Sequence, residues 1–329
     1  MIIGVLLYFL FDAIITDDAD INLFYNVISH YLQPVLIFTM LTLSFLKVNA
    51  RDLKPHRWHG VLLLTQGGLF VICSLAALAC DHFTSLPAEY KLLCEGAMLC
   101  FICPTATASA VVVQKLGGSL SGDVTYLVLC NLMVSLLAPG FLTLVEPHGS
   151  MGFMTEFFMI MGKVFPLLLC PLFLALIIQH YAPRLKERML AIPDLAFYLW
   201  LVALALAITV TVRAIVESHI AITVLFCFAF ISCVCCCLQF WLGRRIGTHW
   251  VQPTKAPSQW QSKAYVAEEY VDPVERSAIT AGQAFGQKNT VFIIWMGLVF
   301  LNPVTSVVGG FYSIWHNIIN SWQLYKKGK

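Results

Sequence analysis

Two stretches of this sequence put polar side chains where the flanking residues are apolar. The first reads Cys103-Pro104-Thr105-Ala106-Thr107-Ala108-Ser109; the second reads Ala281-Gly282-Gln283-Ala284-Phe285-Gly286-Gln287-Lys288-Asn289-Thr290. Proline removes a backbone donor and glycine loosens a helix, so both stretches read as interruptions of helical segments. The chemistry they offer is ion binding. A helix restarting after a break presents unpaired N–H groups, a seat for an anion. Thr107 and Ser109 hold that position in the first stretch, and Asn289 and Thr290 the mirror position in the second. Lys288 adds a compact cation with three donors on a flexible stem. Such groups are costly at membrane depth unless they line a site.

The elements that carry them are membrane spans. Of 329 residues, 59% are hydrophobic and 12% charged, against roughly 45–50% and 25% in soluble proteins. The mean hydropathy is +0.79. A water-soluble enzyme is excluded at this step, and the lipid bilayer is the first partner. About 20 apolar residues cross a bilayer. Apolar runs fall at 2–16, 31–47, 59–80, 92–114, 122–145, 152–180, 192–213, 219–243, 278–300 and 303–323, giving ten expected spans. The sixth can kink at Pro166 or Pro171, and Arg244 to Arg276 reads as a loop. Met1-Ile2-Ile3-Gly4 lacks the basic start of a signal peptide, so the first span is expected to stay in the mature chain. A net charge of +2 gives no reason to expect nucleic acid. The twelve cysteines lie in or beside apolar runs without zinc-type spacing, which favours helix packing over metal chemistry. Neither a metal nor an organic cofactor is expected.

Basic residues give the orientation. With ten spans, 16 of the 20 Lys and Arg fall in alternate connections or the C-terminal tail. They cluster at 47–57, 115, 184–188, 244–276 and 326–329, while the opposite side keeps Lys91 and Arg213. The positive side is cytoplasmic, which predicts cytoplasmic N- and C-termini in a plasma membrane. The two interrupted segments are each the fourth of five. Residues 1–149 and 150–329 therefore read as two repeats, and an odd span count inverts the second. Paired broken helices in inverted halves mark transporter sites near the bilayer midplane.

Four stretches resemble the bile acid:sodium symporter family, over most of the chain from about Phe38 onward. Leu41-Thr42-Leu43-Ser44-Phe45-Leu46-Lys47 with Asp52-Leu53 is similar to its second helix and the following loop. Cys103-Pro104 with Thr107-Ala108-Ser109 is similar to its C-P-G-G-T-A-S-N crossover. Leu136-Leu137-Ala138-Pro139 resembles the end of its fifth helix, and Ser313-Ile314-Trp315-His316-Asn317 its terminal S-V-W-H-N. The resemblance implies an all-α integral membrane fold of ten helices in two inverted five-helix repeats. Helices 1, 2, 6 and 7 would form a panel, and helices 3–5 and 8–10 a core. Helices 4 and 9 would be discontinuous and cross. The implied activity is transport of an organic anion, bile acid-like or a small carboxylate, by alternating access, and the implied location is a bacterial inner membrane.

The departures bear on the coupling ion. The family's E-x-G-x-Q-N corresponds to Ala284-Phe285-Gly286-Gln287-Lys288-Asn289, so Ala284 and Lys288 replace two sodium-site residues. Ala110 replaces the asparagine after T-A-S. Asn131 and Ser135 stand at the helix-five hydroxyl ligands, and Gln66 aligns with the helix-three glutamine. Together with Gln287 and Lys288, these form the expected ion or coupling site. His316 and Asn317 match a pair near the substrate cavity. One glutamate with two sodium ions carries the same net charge as one protonated lysine. Lys288 is therefore expected to stand in for sodium, bonding toward Gln66 and freed carbonyls, with sodium dependence lost or reduced. Glu95 and Lys163 are further candidates for coupling or cavity contact. A sodium-coupled symporter, a lipid-directed membrane enzyme and a ligand sensor are the competing readings. A monomer suffices for any of them.

Overall fold

The computed structural model describes residues 2–15, 17–82, 87–147, 152–192, 195–218, 220–250 and 272–327. Among these the chain is helical, with one isolated β-bridge and no longer strand. Its helices are α1 (Ile2–Ile14), α2 (Asp18–Val27), α3 (Gln33–Leu46), α4 (Arg57–His82), α5 (Ala88–Ile102), α6 (Ser109–Leu116) and α7 (Leu120–Val145). They continue as α8 (Phe153–Tyr181), α9 (Pro183–Ala191), α10 (Leu195–Ser218), α11 (Ile222–His249), α12 (Pro273–Gly286), α13 (Thr290–Phe300) and α14 (Val307–Lys327). Six helical stretches are long and apolar enough to cross a membrane: Asp18–Leu46, Arg57–Asp81, Leu120–Val145, Phe153–Tyr181, Leu195–Ser218 and Ile222–His249. The protein is an all-α, multi-pass membrane protein.

Several boundaries differ from the hydropathy pattern. The second span was expected from residue 31, yet the helix begins at Asp18 and runs through one π-helical turn, Ile28–Leu32, into α3. Asp17 starts it by accepting from Ala19 N at 2.9 Å, and Asp18 and Asp20 sit in its first turn, where carboxylates favour the helix dipole. The basic connection at 184–188 forms α9, which opens on Pro183, a residue already preset for a first turn. The expected loop from Arg244 is helical to His249 and again from Pro273; residues 251–271 lie outside the described residues, as does the 149/150 repeat junction. Pro166 and Pro171 both lie inside one continuous α8.

Glycines set two close approaches. On α11, a Cβ at Gly243 would stand 2.5 Å from Ala281 O, and one at Gly247 2.6 Å from Ser277 O, so these two glycines four residues apart let α12 lie against the α11 backbone. On α1, Gly4 gives the same access to α10: its carbonyl accepts from Thr209 Oγ1 at 2.9 Å. One group of helices follows from packing, with α8 on α3, α3 on α10 and α10 on α1. A second contains α4, α5, α7, α11, α12 and α14, with α4 on α5 and α7, and α11 on α5, α12 and α14. The groups meet along α7 and α8, where Asn131 Nδ2 donates to Leu168 O at 3.2 Å.

Basic residues distant in sequence meet in space. Lys47, Lys54 and Arg276 line one cavity, Lys186 Nζ reaches Asn49 Oδ1 at 3.4 Å, and Lys327 Nζ donates to Lys115 O at 3.0 Å. Elsewhere, Lys91 pairs with Asp81 at 3.0 Å and Glu146 at 2.9 Å, and Arg213 pairs with Glu217 at 2.6 Å.

Candidate functional site

The site lies where the two interruptions meet. Helix α5 stops at Ile102 because Pro104 has no N–H, which leaves Cys100 O without its helical partner. Helix α12 stops at Gly286, and a Cβ there would strike the Phe240 ring at 2.4–2.5 Å. The extended segments between the half-helices pair with each other, Thr105 opposite Lys288 in an antiparallel bridge. Ala106 N donates to Gln287 O at 2.8 Å and Asn289 N to Pro104 O at 3.0 Å. Thr105 Oγ1 adds a 2.6 Å bond to Ala284 O, and Cys103 Sγ one of 3.0 Å to Asn289 O.

The remaining freed carbonyls are met by side chains from other helices. Gln66 Nε2, on α4, lies 3.4 Å from Ile102 O and 3.2 Å from Cys103 O, while its Oε1 accepts from Tyr126 on α7 at 2.7 Å. Gln239, on α11, donates to Cys100 O at 3.2 Å and to the Tyr312 hydroxyl on α14 at 3.1 Å. Tyr312 in turn donates to Gly286 O at 2.8 Å. Each half-helix end is thus braced by a Gln–Tyr pair. Buried backbone polar groups need such partners.

Lys288 sits in this frame with no exposure, its Nζ 4.9 Å from the centre of the Phe285 ring and without a hydrogen-bond partner among the described residues. The expected bonds from Lys288 to Gln66 and to freed carbonyls are not formed. Gln66 is held by Tyr126 and the Cys103 carbonyl, and the carbonyls at the breaks are taken by Thr105, Gln66, Gln239 and Tyr312.

The other expected residues separate into two sets. Thr107 is buried between the half-helices, and Thr290 opens α13 with its Oγ1 unpartnered. Gln287 is buried beside Lys288 with its Oε1 unpartnered. His316 is buried with Nδ1 unpartnered, its ring edge-on to Tyr312 at 5.9 Å. Among the described residues Thr290, Gln287 and His316 thus each keep one unused polar atom.

Asn289 is occupied, because its Oδ1 caps α13 by accepting from Phe292 N at 3.2 Å. Ser109 donates to Asp123 Oδ2 at 2.6 Å. Asn131 Nδ2 is bonded to Leu168 O while its Oδ1 has no partner among the described residues, and Ser135 bonds back to Leu132 O at 2.8 Å. Asn317 is exposed and bonds back to Ser313 O at 2.7 Å, since its neighbour His316 takes the inward face of α14. Glu95 is buried near Lys91, at 4.0 Å, and Lys163 is exposed, 5.6 Å from the Phe300 ring centre.

Sequence reasoning passed over Tyr126, Asp123, Gln239 and Tyr312, all fully buried. The available signal was an isolated polar residue inside an apolar run. Among the described residues no group of His, Cys, Asp and Glu could hold a metal ion. Among the described residues the arrangement offers a buried lysine, Lys288, without a hydrogen-bond partner, and several hydroxyl, amide or imidazole groups with an unused atom. Compared with protein-family models and with curated proteins, the chain matches none.

Proposed function

We propose that this chain is a secondary transporter of an organic anion, built like the bile acid:sodium symporters and working by alternating access. In this reading it has ten spans: α1, α2–α3, α4, α5–α6, α7, α8, α10, α11, α12–α13 and α14. The second five repeat the first upside down. The packing supports that pairing. The contact of α3 with α8 then corresponds to that of α10 with α1, α4–α5 to α11–α12, α4–α7 to α11–α14, and α6–α7 to α13–α14. Gln66 with Tyr126 likewise corresponds to Gln239 with Tyr312. The group of α1, α3, α8 and α10 is the panel, and the remaining spans are the core.

The observation that carries the proposal is the pairing of two broken helices at Thr105 and Lys288. Discontinuous helices meeting at a polar centre are the build of a midplane transport site. Lys288 supplies a fixed positive charge there and takes the place of a coupling sodium ion, so transport runs without sodium. Meeting of the basic connections at one end supports cytoplasmic termini in a plasma membrane.

The test is uptake of radiolabelled taurocholate and of labelled acetate into proteoliposomes holding the full chain. Saturable uptake that is unchanged when potassium replaces sodium is expected. Uptake that demands sodium would restore conventional sodium symport. Vesicles no more permeable than protein-free ones, for both anions and under every gradient, would overturn transport of these anion classes.

A further inference from the structure

Asp123 lies in the first turn of α7, fully buried, and no charged group is bonded to it among the described residues. Its Oδ2 accepts from Ser109 Oγ at 2.6 Å, and its Oδ1 has no partner. Every neighbouring element leaves it without a counter-ion. From α4 comes His59, whose Nε2 is 3.0 Å from Gly122 O and so is directed at backbone. From α6 comes Ser109 itself. Helix α12 contributes Thr280, which accepts from Ser119 N at 2.8 Å, and Arg276 at the mouth above. Helix α8 passes α7 with Phe157 by Gly140 and Leu168 by Asn131, so its apolar stretch near Ala175 reaches this level.

Water approaches from one side. A cavity of about 450 Å³ is lined by Lys47, Lys54 and Arg276, with Asp52 as its one carboxylate among the described residues, and by Ser119 and Ser121. Asp123 N bonds to Ser119 O at 3.0 Å, so Asp123 follows the lining residues Ser119 and Ser121 within one turn of α7. The 2.6 Å hydroxyl–carboxyl contact leaves no room for a metal ion between the two groups, but a proton on Oδ1 needs none. Ser109 also stands in the expected anion seat. A charged carboxyl there repels an anion and a neutral one does not.

We propose that Asp123 is a proton-exchanging site beneath the basic mouth, loading from water on that side, and that its proton travels with the anion. The second half of this statement rests on the transport reading above; the first does not. Proton uptake makes a neutral carboxylic acid beside Ser109, the anion enters, and both leave to water on the far side.

The experiment is infrared titration of the full chain in lipid nanodiscs, without substrate, between about pH 5 and 9. The signal is the carbonyl stretch of a buried protonated carboxyl. A band that titrates in the wild type, disappears in Asp123→Asn and moves in frequency in Ser109→Ala is expected. Asp123→Glu, which keeps a carboxyl, retains a titrating band and controls for loss of fold in the asparagine variant. An identical spectrum in wild type and Asp123→Asn, or an Asp123 band constant across the range, would overturn the proposal and leave transport standing. Failure of taurocholate and acetate uptake with the band intact would count against transport, and so against the coupling of proton to anion, and leave the proton-exchanging site standing.

Discussion

The hydroxyl of Tyr312 reaches the carbonyl oxygen of Gly286 at 2.8 Å and closes the end of α12 from another helix. Tyr312→Phe leaves that buried carbonyl unmatched, at a cost of about 1–3 kcal/mol. Tyr126→Phe is expected to cost less, because the Cys130 thiol stays 3.5 Å from the same Gln66 oxygen. Thermal unfolding in detergent measures both. Equal and negligible losses would show that the Gln–Tyr braces contribute no stability.

Glycine substitutions separate steric need from helix propensity. A Cβ at Gly286 meets the Phe240 ring at 2.4–2.5 Å, whereas one at Gly310 meets nothing within 4 Å. Gly286→Ala should destabilise by about 1–3 kcal/mol. Gly310→Ala should be neutral or stabilising by up to about 1 kcal/mol. Denaturant or thermal midpoints of the two variants, measured side by side, check the contrast.

Lys288 has no hydrogen-bond partner in its fully buried position. An apolar side chain of similar shape relieves that cost, so Lys288→Met should leave stability unchanged or raise it by about 1–4 kcal/mol. It should also abolish anion uptake, because the central charge is gone. A wild type whose midpoint is equal in sodium and potassium chloride at matched ionic strength completes the expectation. A bound ion at a hundred times its dissociation constant would add about 2.7 kcal/mol, a shift easily read. Sodium-specific stabilisation of the wild type would remove Lys288 from the role proposed for it.

Lys91 holds together carboxylates from three helices: Asp81 at 3.0 Å, Glu146 at 2.9 Å and Glu95 at 4.0 Å. Lys91→Met leaves these acids facing one another. The midpoint should fall at low salt and recover in part in about 1 M salt, where the Debye length is roughly 3 Å. A loss insensitive to salt would mean that Lys91 acts through the packing of its stem.

Much of this architecture was legible because the bilayer imposes a simple code. Apolar length marked the long helices, and Pro104 together with Gly286 marked where two helices stop. What hydropathy missed was helix made of polar residues: α2 behind Asp17, and α9 behind Pro183. At the site the breaks were legible but their partners were not. Spacing within one segment says nothing of Gln239 meeting Cys100 O, 139 residues away. Asn317 shows the converse error, since a motif joins it to His316 while a helix turns adjacent side chains about 100° apart.

The central contacts join residues 186 and 179 positions apart, Cys103 with Asn289 and Thr105 with Ala284. Synthesis proceeds at about 5–20 residues per second, so the first break emerges on the order of 10 to 40 s before its partner. During that interval Cys100 O, Pro104 O and Ala106 N enter the membrane before Gln239, Asn289 and Gln287, their partners, have been made. The first half of the chain is therefore an obligate waiting state in biogenesis. Truncations after Val145 should be recognised as unfinished and degraded, however hydrophobic their helices.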